Sequence, residues 1–229
     1  MYCLCICSQF VHASSIGVNF ATDGSGVDFD LTPTDSTGVV LQSHWNNAHS
    51  SDSLLLNLTD DHGSLTGASV SWNNHQPLST NVAGGTPAGN LLHSAIYCTL
   101  GSQAGITVSN IPYTTFDLYI YAAAPGTSNQ LEVFKINYGN TPAEQLSVQG
   151  IIDVSGGSSF VLSGTSSSGN YLYYGGLTGS TLYLNGSGGA PVDGLQIVQT
   201  PEPTSLVLMI CAAICCTLIG RRRLNRFSK

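Results

Sequence analysis

Two tryptophan-asparagine triplets are the residues whose types and spacing best suit ligand binding. They are Trp45-Asn46-Asn47 and Trp72-Asn73-Asn74, and they contain both tryptophans of the chain. An indole face can stack on a sugar ring while neighbouring amides hydrogen-bond to the sugar hydroxyls. The triplets therefore predict a carbohydrate site in which one tryptophan is exposed beside asparagine side chains. The same residue types also fit an alternative, in which both indoles fill the core and the asparagines make turns.

A glycine-rich acidic segment is the candidate metal site. Asp23, Asp28 and Asp30 place carboxylates close together in the chain. Calcium prefers several hard oxygen ligands at such spacing, so these residues are the candidate calcium ligands. The segment lacks the glycine and glutamate positions of an EF-hand loop, and a solvated acidic turn is the alternative. A second acidic stretch, 60–62, is expected not to converge on an ion because its residues are adjacent on one loop.

Motifs for catalysis are missing from the sequence. The histidines show no zinc-ligand spacing, and the chain has no Gly-x-Ser-x-Gly elbow and no phosphate-binding loop. Paired carboxylates for glycoside hydrolysis need not be adjacent in sequence. Glu132 and Glu144 are the only glutamates before position 202, which disfavours that chemistry. We therefore predict no enzymatic activity and no catalytic residue, with a hydrolase left as the third alternative.

The elements that must position these residues are predicted to be β-strands. Apolar residues alternate with polar or small ones, which is the period of a half-buried strand. Between these segments lie clusters of Gly, Pro, Asn and Ser, which favour turns. No segment shows a sustained helical period. The predicted strands cover residues 16–20, 68–72, 116–121, 131–138, 160–162, 171–174, 181–184 and 192–198.

Short strands separated by frequent turns predict an all-β fold. About ten strands in roughly 185 residues favour an antiparallel β-sandwich of jelly-roll type. The strand at 192–198 would close the domain. Cys98 is the only cysteine between 14 and 200, so no disulfide can form there and a buried, unreactive thiol is expected.

Charge is scarce and unevenly placed. Only 8% of residues are charged, and Lys135 is the one basic residue before the extreme C-terminus. An acidic domain without a basic footprint argues against nucleic-acid binding. It is compatible with a neutral polymer or a divalent cation as the partner.

Both ends of the chain look like export signals. Residues 1–13 combine a short apolar run with small or branched residues at positions 11 and 13, which indicates a signal peptide, although its basic segment is missing. Residues 205–220 are apolar and uncharged. As a helix, such a run rises about 24 Å, which arginine side chains can extend towards the roughly 30 Å of a bilayer core. It therefore predicts one C-terminal transmembrane helix.

The order of features at the C-terminus resembles the PEP-CTERM sorting signal of Gram-negative bacteria. Pro201, Glu202 and Pro203 precede the apolar run, which ends at the cluster Arg221, Arg222 and Arg223. The resemblance implies export, anchoring in the inner membrane and processing by an exosortase. By this resemblance the proline-glutamate-proline motif is recognised, and the arginines stay on the cytoplasmic side. The region between, 14–200, resembles the secreted domains that precede such tails and looks like the galactose-binding-like fold.

The sequence thus predicts three regions: a signal peptide at 1–13, a β-sandwich ectodomain at 14–200 and a sorting signal at 201–229. The expected role is structural display in the cell envelope or extracellular matrix. The alternative is a carbohydrate- or calcium-binding module that contacts exopolysaccharide. The expected partners are the exosortase, the export machinery and the inner membrane. Calcium is the one cofactor left open.

Overall fold

The computed structural model describes residues 13–201, apart from positions 24, 50, 74–75, 99–104, 127–128, 139–144, 154 and 187–189. The chain divides into two units, Met1–Gln199 and Thr200–Lys229. Of the second unit only Thr200 and Pro201 fall within the described residues, so the fold given below is that of the first.

The described chain consists mainly of strands and contains one short helix, α1 (Pro87–His93). In chain order the strands are β1 (Ser15–Phe20), β2 (Asn46–Ala48), β3 (Leu54–Leu55), β4 (Ser69–Trp72), β5 (Pro77–Ser79), β6 (Ser94–Cys98), β7 (Ile106–Ser109), β8 (Thr115–Tyr121), β9 (Gln130–Tyr138), β10 (Gln145–Ile152), β11 (Ser168–Gly169), β12 (Tyr171–Thr178), β13 (Thr181–Gly186), β14 (Ala190–Val192) and β15 (Gly194–Gln199). The all-β fold predicted from the sequence is therefore confirmed.

The strands form three sheets. The five-stranded sheet has the order β12-β8-β15-β1-β2, and the seven-stranded sheet has the order β11-β10-β9-β13-β7-β4-β3. A small third sheet contains β14, β6 and β5. Pairing is antiparallel except where β2 joins β1 and β11 joins β10. This arrangement is that of a β-sandwich.

The main core lies between the two large sheets. In β8, Phe116, Leu118 and Ile120 are fully buried, whereas the residues between them face the other side of the sheet. Val108 of β7 and Leu182 of β13 are equally buried on the inner face of the seven-stranded sheet and belong to the same apolar cluster. Alternation with period two thus directs one face of each sheet inwards.

A second, smaller core covers part of the outer face of the five-stranded sheet. It contains Trp45, Tyr121 and the α1 residues Leu91 and Leu92. Because of this cover, the central strand β1 is buried on both faces. Its full burial explains why Gly and Asn alternate with Ile and Val there, since the covered face leaves little room for large side chains.

The sequence analysis missed α1 because seven residues are too few to reveal a helical period. Its start follows ordinary capping rules. Thr86 is the N-cap, and its hydroxyl accepts a hydrogen bond from the backbone N–H of Gly89 at 3.0 Å. Pro87 occupies the first turn, where its missing N–H has no cost.

Two strand predictions also need correction. Residues 160–162 form no strand, because only Leu162 makes an isolated bridge, to Tyr171. The closing segment 192–198 is interrupted at Asp193, and its two parts, β14 and β15, join different sheets. Seven of the strands fall in segments that the sequence analysis did not mark, and most of these strands are five residues long or shorter.

The predicted terminal segments lie mainly outside the described residues. These are the signal peptide up to position 12, the motif residues Glu202 and Pro203, the apolar run and the arginines Arg221, Arg222 and Arg223. Within residues 13–201, as far as they are described, no helix has the length and apolar character to cross a membrane.

Candidate functional site

Trp45 is buried against β1 rather than exposed to a ligand. It is 5% exposed, and its indole N–H donates to the backbone carbonyl of Gln42 at 3.3 Å. A Cβ atom placed on Gly17 would lie 2.6 Å from the indole ring, so the ring packs directly on the glycine backbone. The edge of the ring meets Tyr121, with a centroid distance of 5.9 Å. Trp45 therefore joins its loop to the sheet.

Trp72 lies inside the main core. It is 2% exposed and meets Phe20 edge to face, with a centroid distance of 5.5 Å. Neither Trp45 nor Trp72 offers a ring face to a sugar. The expectation of an exposed tryptophan beside asparagines is therefore wrong, and the alternative of two core indoles describes the structure. Residue type alone could not reveal this, because tryptophan suits both a core and a sugar site.

The asparagines after Trp45 hold the backbone together. Asn47 bonds to both backbone groups of Leu31 and accepts a hydrogen bond from the Asn19 side chain at 3.0 Å. Asn46 donates to the carbonyl of Gly17 at 2.8 Å and accepts from the N–H of Thr59 at 2.8 Å. Their amides are thus engaged within the fold.

The second triplet is described only in part. Asn73 donates its backbone N–H to the carbonyl of Gly105 at 3.1 Å. Asn74 lies outside the described residues. The two tryptophans belong to different apolar clusters, Trp72 to the main core and Trp45 to the second core.

The three aspartates proposed as calcium ligands have separate partners. Asp23 accepts hydrogen bonds from Ser25 and from the Val27 N–H. Burial works to raise the pKa of Asp23, but these hydrogen bonds hold it below its usual value. The remaining two are bonded elsewhere, since Asp28 accepts from the Thr22 hydroxyl at 2.6 Å and Asp30 is 2.8 Å from His49 Nε2.

The three aspartates are not brought together as one group of ligand atoms among the described residues. The pairing with Asp30 raises the pKa of His49, chiefly through their hydrogen bond. These carboxylates therefore shape a turn and pair with neighbours.

The adjacent residues Asp60, Asp61 and His62 do converge, contrary to expectation. One ligand atom from each lies within 4.8 Å of the others. The reason is a tight turn, in which one Asp60 oxygen accepts the backbone N–H groups of His62 and Ser64. Asp61 accepts the backbone N–H of Ser15 at 3.1 Å. The carboxylates thus stabilise the turn and fasten it to β1.

A tyrosine cluster lies on the outer face of the five-stranded sheet, at its edge. Tyr119 belongs to β8, and Tyr171 and Tyr173 belong to the edge strand β12. The ring centroid of Tyr119 is 6.2 Å from that of Tyr171 and 5.1 Å from that of Tyr173. Tyr173 is 42% exposed, and the others are half-buried. We call these three residues the tyrosine platform.

A β-bulge holds a carboxylate at one end of the platform. Strand β12 shifts register against β8 after Tyr174, at Gly175 and Gly176. The Gly176 N–H donates to one oxygen of Asp117 at 2.9 Å, and the Tyr173 hydroxyl donates to the other at 3.1 Å. A Cβ on Gly175 would lie only 2.3 Å from that hydroxyl, so a side chain there would displace the Tyr173 ring.

Tyr119 and Tyr173 keep their phenol groups protonated at neutral pH. Burial and the nearby Asp117 carboxylate raise the pKa of both Tyr119 and Tyr173 above the ordinary phenol value. The hydroxyls therefore remain hydrogen-bond donors. The sequence analysis predicted a strand at 116–121 but considered only tryptophans as sugar-stacking residues, so it did not single out these tyrosines.

No family model, curated protein or solved structure matches this chain. Functional inference therefore depends on the residues and the geometry described above. Two features carry the inferences below: the pairing of the first strand, β1, with the last strand, β15, and the partly exposed tyrosine platform.

Proposed function

We propose that this chain is an exported bacterial surface protein whose domain at 14–200 has a structural display role and no enzymatic activity. The observation that carries the proposal is that the fold closes between the two predicted export segments. Strand β1 begins at Ser15 and pairs with β15, which ends at Gln199. The sheet of this domain is formed by strands that lie between the two flanking segments. The flanking segments are therefore free to act as export and sorting signals, which supports the proposal.

In this proposal the C-terminal region acts as a PEP-CTERM sorting signal. An exosortase would recognise Pro201, Glu202 and Pro203, and residues 205–220 would span the inner membrane as a helix. The arginines at 221–223 would remain on the cytoplasmic side. The domain would then reach the cell surface or the extracellular matrix after processing. We further propose that its sandwich is a jelly roll of the galactose-binding-like type.

The separate partners of Asp23, Asp28 and Asp30 favour display over a calcium-dependent role for these three residues. Cys98, the one cysteine between 14 and 200, is buried. Burial raises the pKa of its thiol to about 12, which disfavours the reactive thiolate.

The test is the intact mass of the protein purified from its native host, measured separately in membrane and medium. We expect a product that begins near Ser14 and ends near Pro203. The matched control is the P201A/E202A double variant, which should keep its tail and stay with the membrane. A full-length wild-type species confined to the inner membrane would refute the sorting proposal.

A further inference from the structure

We infer that the tyrosine platform and Asp117 bind a neutral polysaccharide chain on the outer face of β8 and β12. This inference goes beyond export and display and does not depend on them. It places carbohydrate recognition on tyrosines, away from both tryptophan triplets.

The first argument is the shape of the platform. Its three rings lie on two adjacent strands and share one sheet face, because Tyr173 pairs directly with Tyr119 in the register of β12 and β8. The ring planes of Tyr171 and Tyr173 are inclined to that of Tyr119 by 44° and 47°. Inclined rings at this spacing can follow the successive sugar units of a twisted polymer. Flat ring faces are apolar enough to stack on the C–H surface of a sugar.

The second argument is the fixed position of the polar groups. The bulge at Gly175 and Gly176 exists at the point where Asp117 and Tyr173 meet, and bulges commonly re-aim side chains next to binding sites. A carboxylate has about four acceptor positions, and Tyr173 and Gly176 each occupy one. Asp117 can therefore accept further hydrogen bonds from sugar hydroxyls. Few placed polar groups beside aromatic rings are what recognition of small neutral molecules uses.

The third argument is charge, which selects among polymers. The domain is acidic, and its one basic residue, Lys135, lies on β9 of the other large sheet. A polyanion would meet Asp117 at the platform without a compensating cation. Nucleic acids and uronic-acid polymers are thereby disfavoured. A neutral polymer meets no such charge repulsion.

Binding can be measured with the full chain kept in mild detergent. The probes are insoluble cellulose, xylan, mannan and galactan, together with neutral polysaccharide extracted from the producing cells. Alginate serves as the polyanion. We expect retention on at least one neutral polymer and none on alginate. The variants Tyr119→Ala and Tyr173→Ala should each weaken binding roughly tenfold, since each removes one stacking ring.

A matched control distinguishes the platform from aromatic residues in general. Tyr183 is 38% exposed on β13 of the seven-stranded sheet, so Tyr183→Ala removes an equally exposed ring elsewhere. It should bind as the wild type does, and melting curves should show that all variants are folded. Tyr173→Phe keeps the ring but loses the bond to Asp117, so it should bind with intermediate affinity.

Three outcomes would overturn the inference. They are failure of the wild type to bind any neutral polymer, equal loss of binding in the Tyr183→Ala variant, and retention on alginate as strong as on the neutral polymers. The export proposal fails by a different result, the persistence of an unprocessed tail, so the two failures can be told apart.

Discussion

The backbone N–H of Gln199 donates a hydrogen bond to the backbone carbonyl of Ser14 at 2.8 Å. The first and last residues of the domain are therefore direct neighbours. Next to them, Ser15 pairs with Val198 in the antiparallel ladder of β1 and β15. Each of these central strands has a hydrogen-bonded neighbour on both sides, so the first and last strands of the domain form the middle of the sheet.

The closure predicts that residues after 200 contribute little to the stability of the domain. A chain that ends at Thr200 should melt within a few degrees of the full chain, because its last paired residue is Gln199. Thermal unfolding followed by circular dichroism, with both chains in the same detergent, checks this. A chain that ends at Asp193 is the control. It lacks β15 and should not fold, since β8 and β1 would lose their common neighbour.

The contact between Gly17 and Trp45 predicts the effect of a single added methyl group. In Gly17→Ala, the new Cβ would lie 2.5 Å from Gln42 Nε2 and 2.6 Å from the indole ring. Both side chains must move, which should lower the free energy of unfolding by about 1–3 kcal/mol. Urea unfolding gives the value. Gly67→Ala, where no atom lies within 4 Å of a new Cβ but φ is +77°, separates strain from crowding.

The same variant has a spectroscopic signature. Trp45 and Trp72 are both buried, so wild-type emission should be blue-shifted and resist quenching by acrylamide. Gly17→Ala should increase quenching, because it displaces one indole. Strong quenching in the folded wild type would contradict the burial of the two rings.

Asn47 predicts a large cost for losing a half-buried amide whose hydrogen-bond partners are buried. It makes hydrogen bonds to the Leu31 backbone and to Asn19, so Asn47→Ala leaves several buried partners without it. We expect a loss of about 2–4 kcal/mol in the free energy of unfolding. Gln149→Ala, on an exposed position of β10, should change stability by less than about 0.5 kcal/mol. Equal effects in the two variants would show that Asn47 has no special structural role.

Local pattern was enough to predict some of the strands that line the main core, such as β8 and β13, but not β7 or β10. Residues 116–121 lie within β8. Phe116, Leu118 and Ile120 alternate there with less buried residues, and this period-two pattern is that of a strand with one face in the core. The ligand site was not predictable in the same way. Trp45 and Tyr173 lie on the same outer face of the five-stranded sheet, and they differ in exposure because the second core covers only part of that face. That cover comes from α1 and the loop before β2, which are distant in sequence, so single-residue preferences could not assign it.

The buried Asp193 carboxyl predicts how stability depends on pH. One of its oxygens accepts the Ala123 N–H at 2.5 Å, and the other has no hydrogen-bond partner among the described residues. Burial raises the pKa of Asp193 well above its usual value. Above the unfolded pKa of about 4, the folded state keeps a proton that the unfolded state has lost. The stabilising effect of this group is therefore complete at low pH and disappears as pH rises through the folded pKa.

Asp193→Asn tests this directly, because an amide does not titrate in this range. The difference in unfolding free energy, variant minus wild type, should increase from pH 4 to pH 8. Asp28→Asn removes the same formal charge from an exposed position, and its curve corrects for net charge. Urea unfolding at several pH values gives all three curves. If the Asp193→Asn curve ran parallel to the wild type after this correction, the carboxyl would be ionised in the folded protein. Some group would then have to stabilise that charge at the junction of β14 and β15.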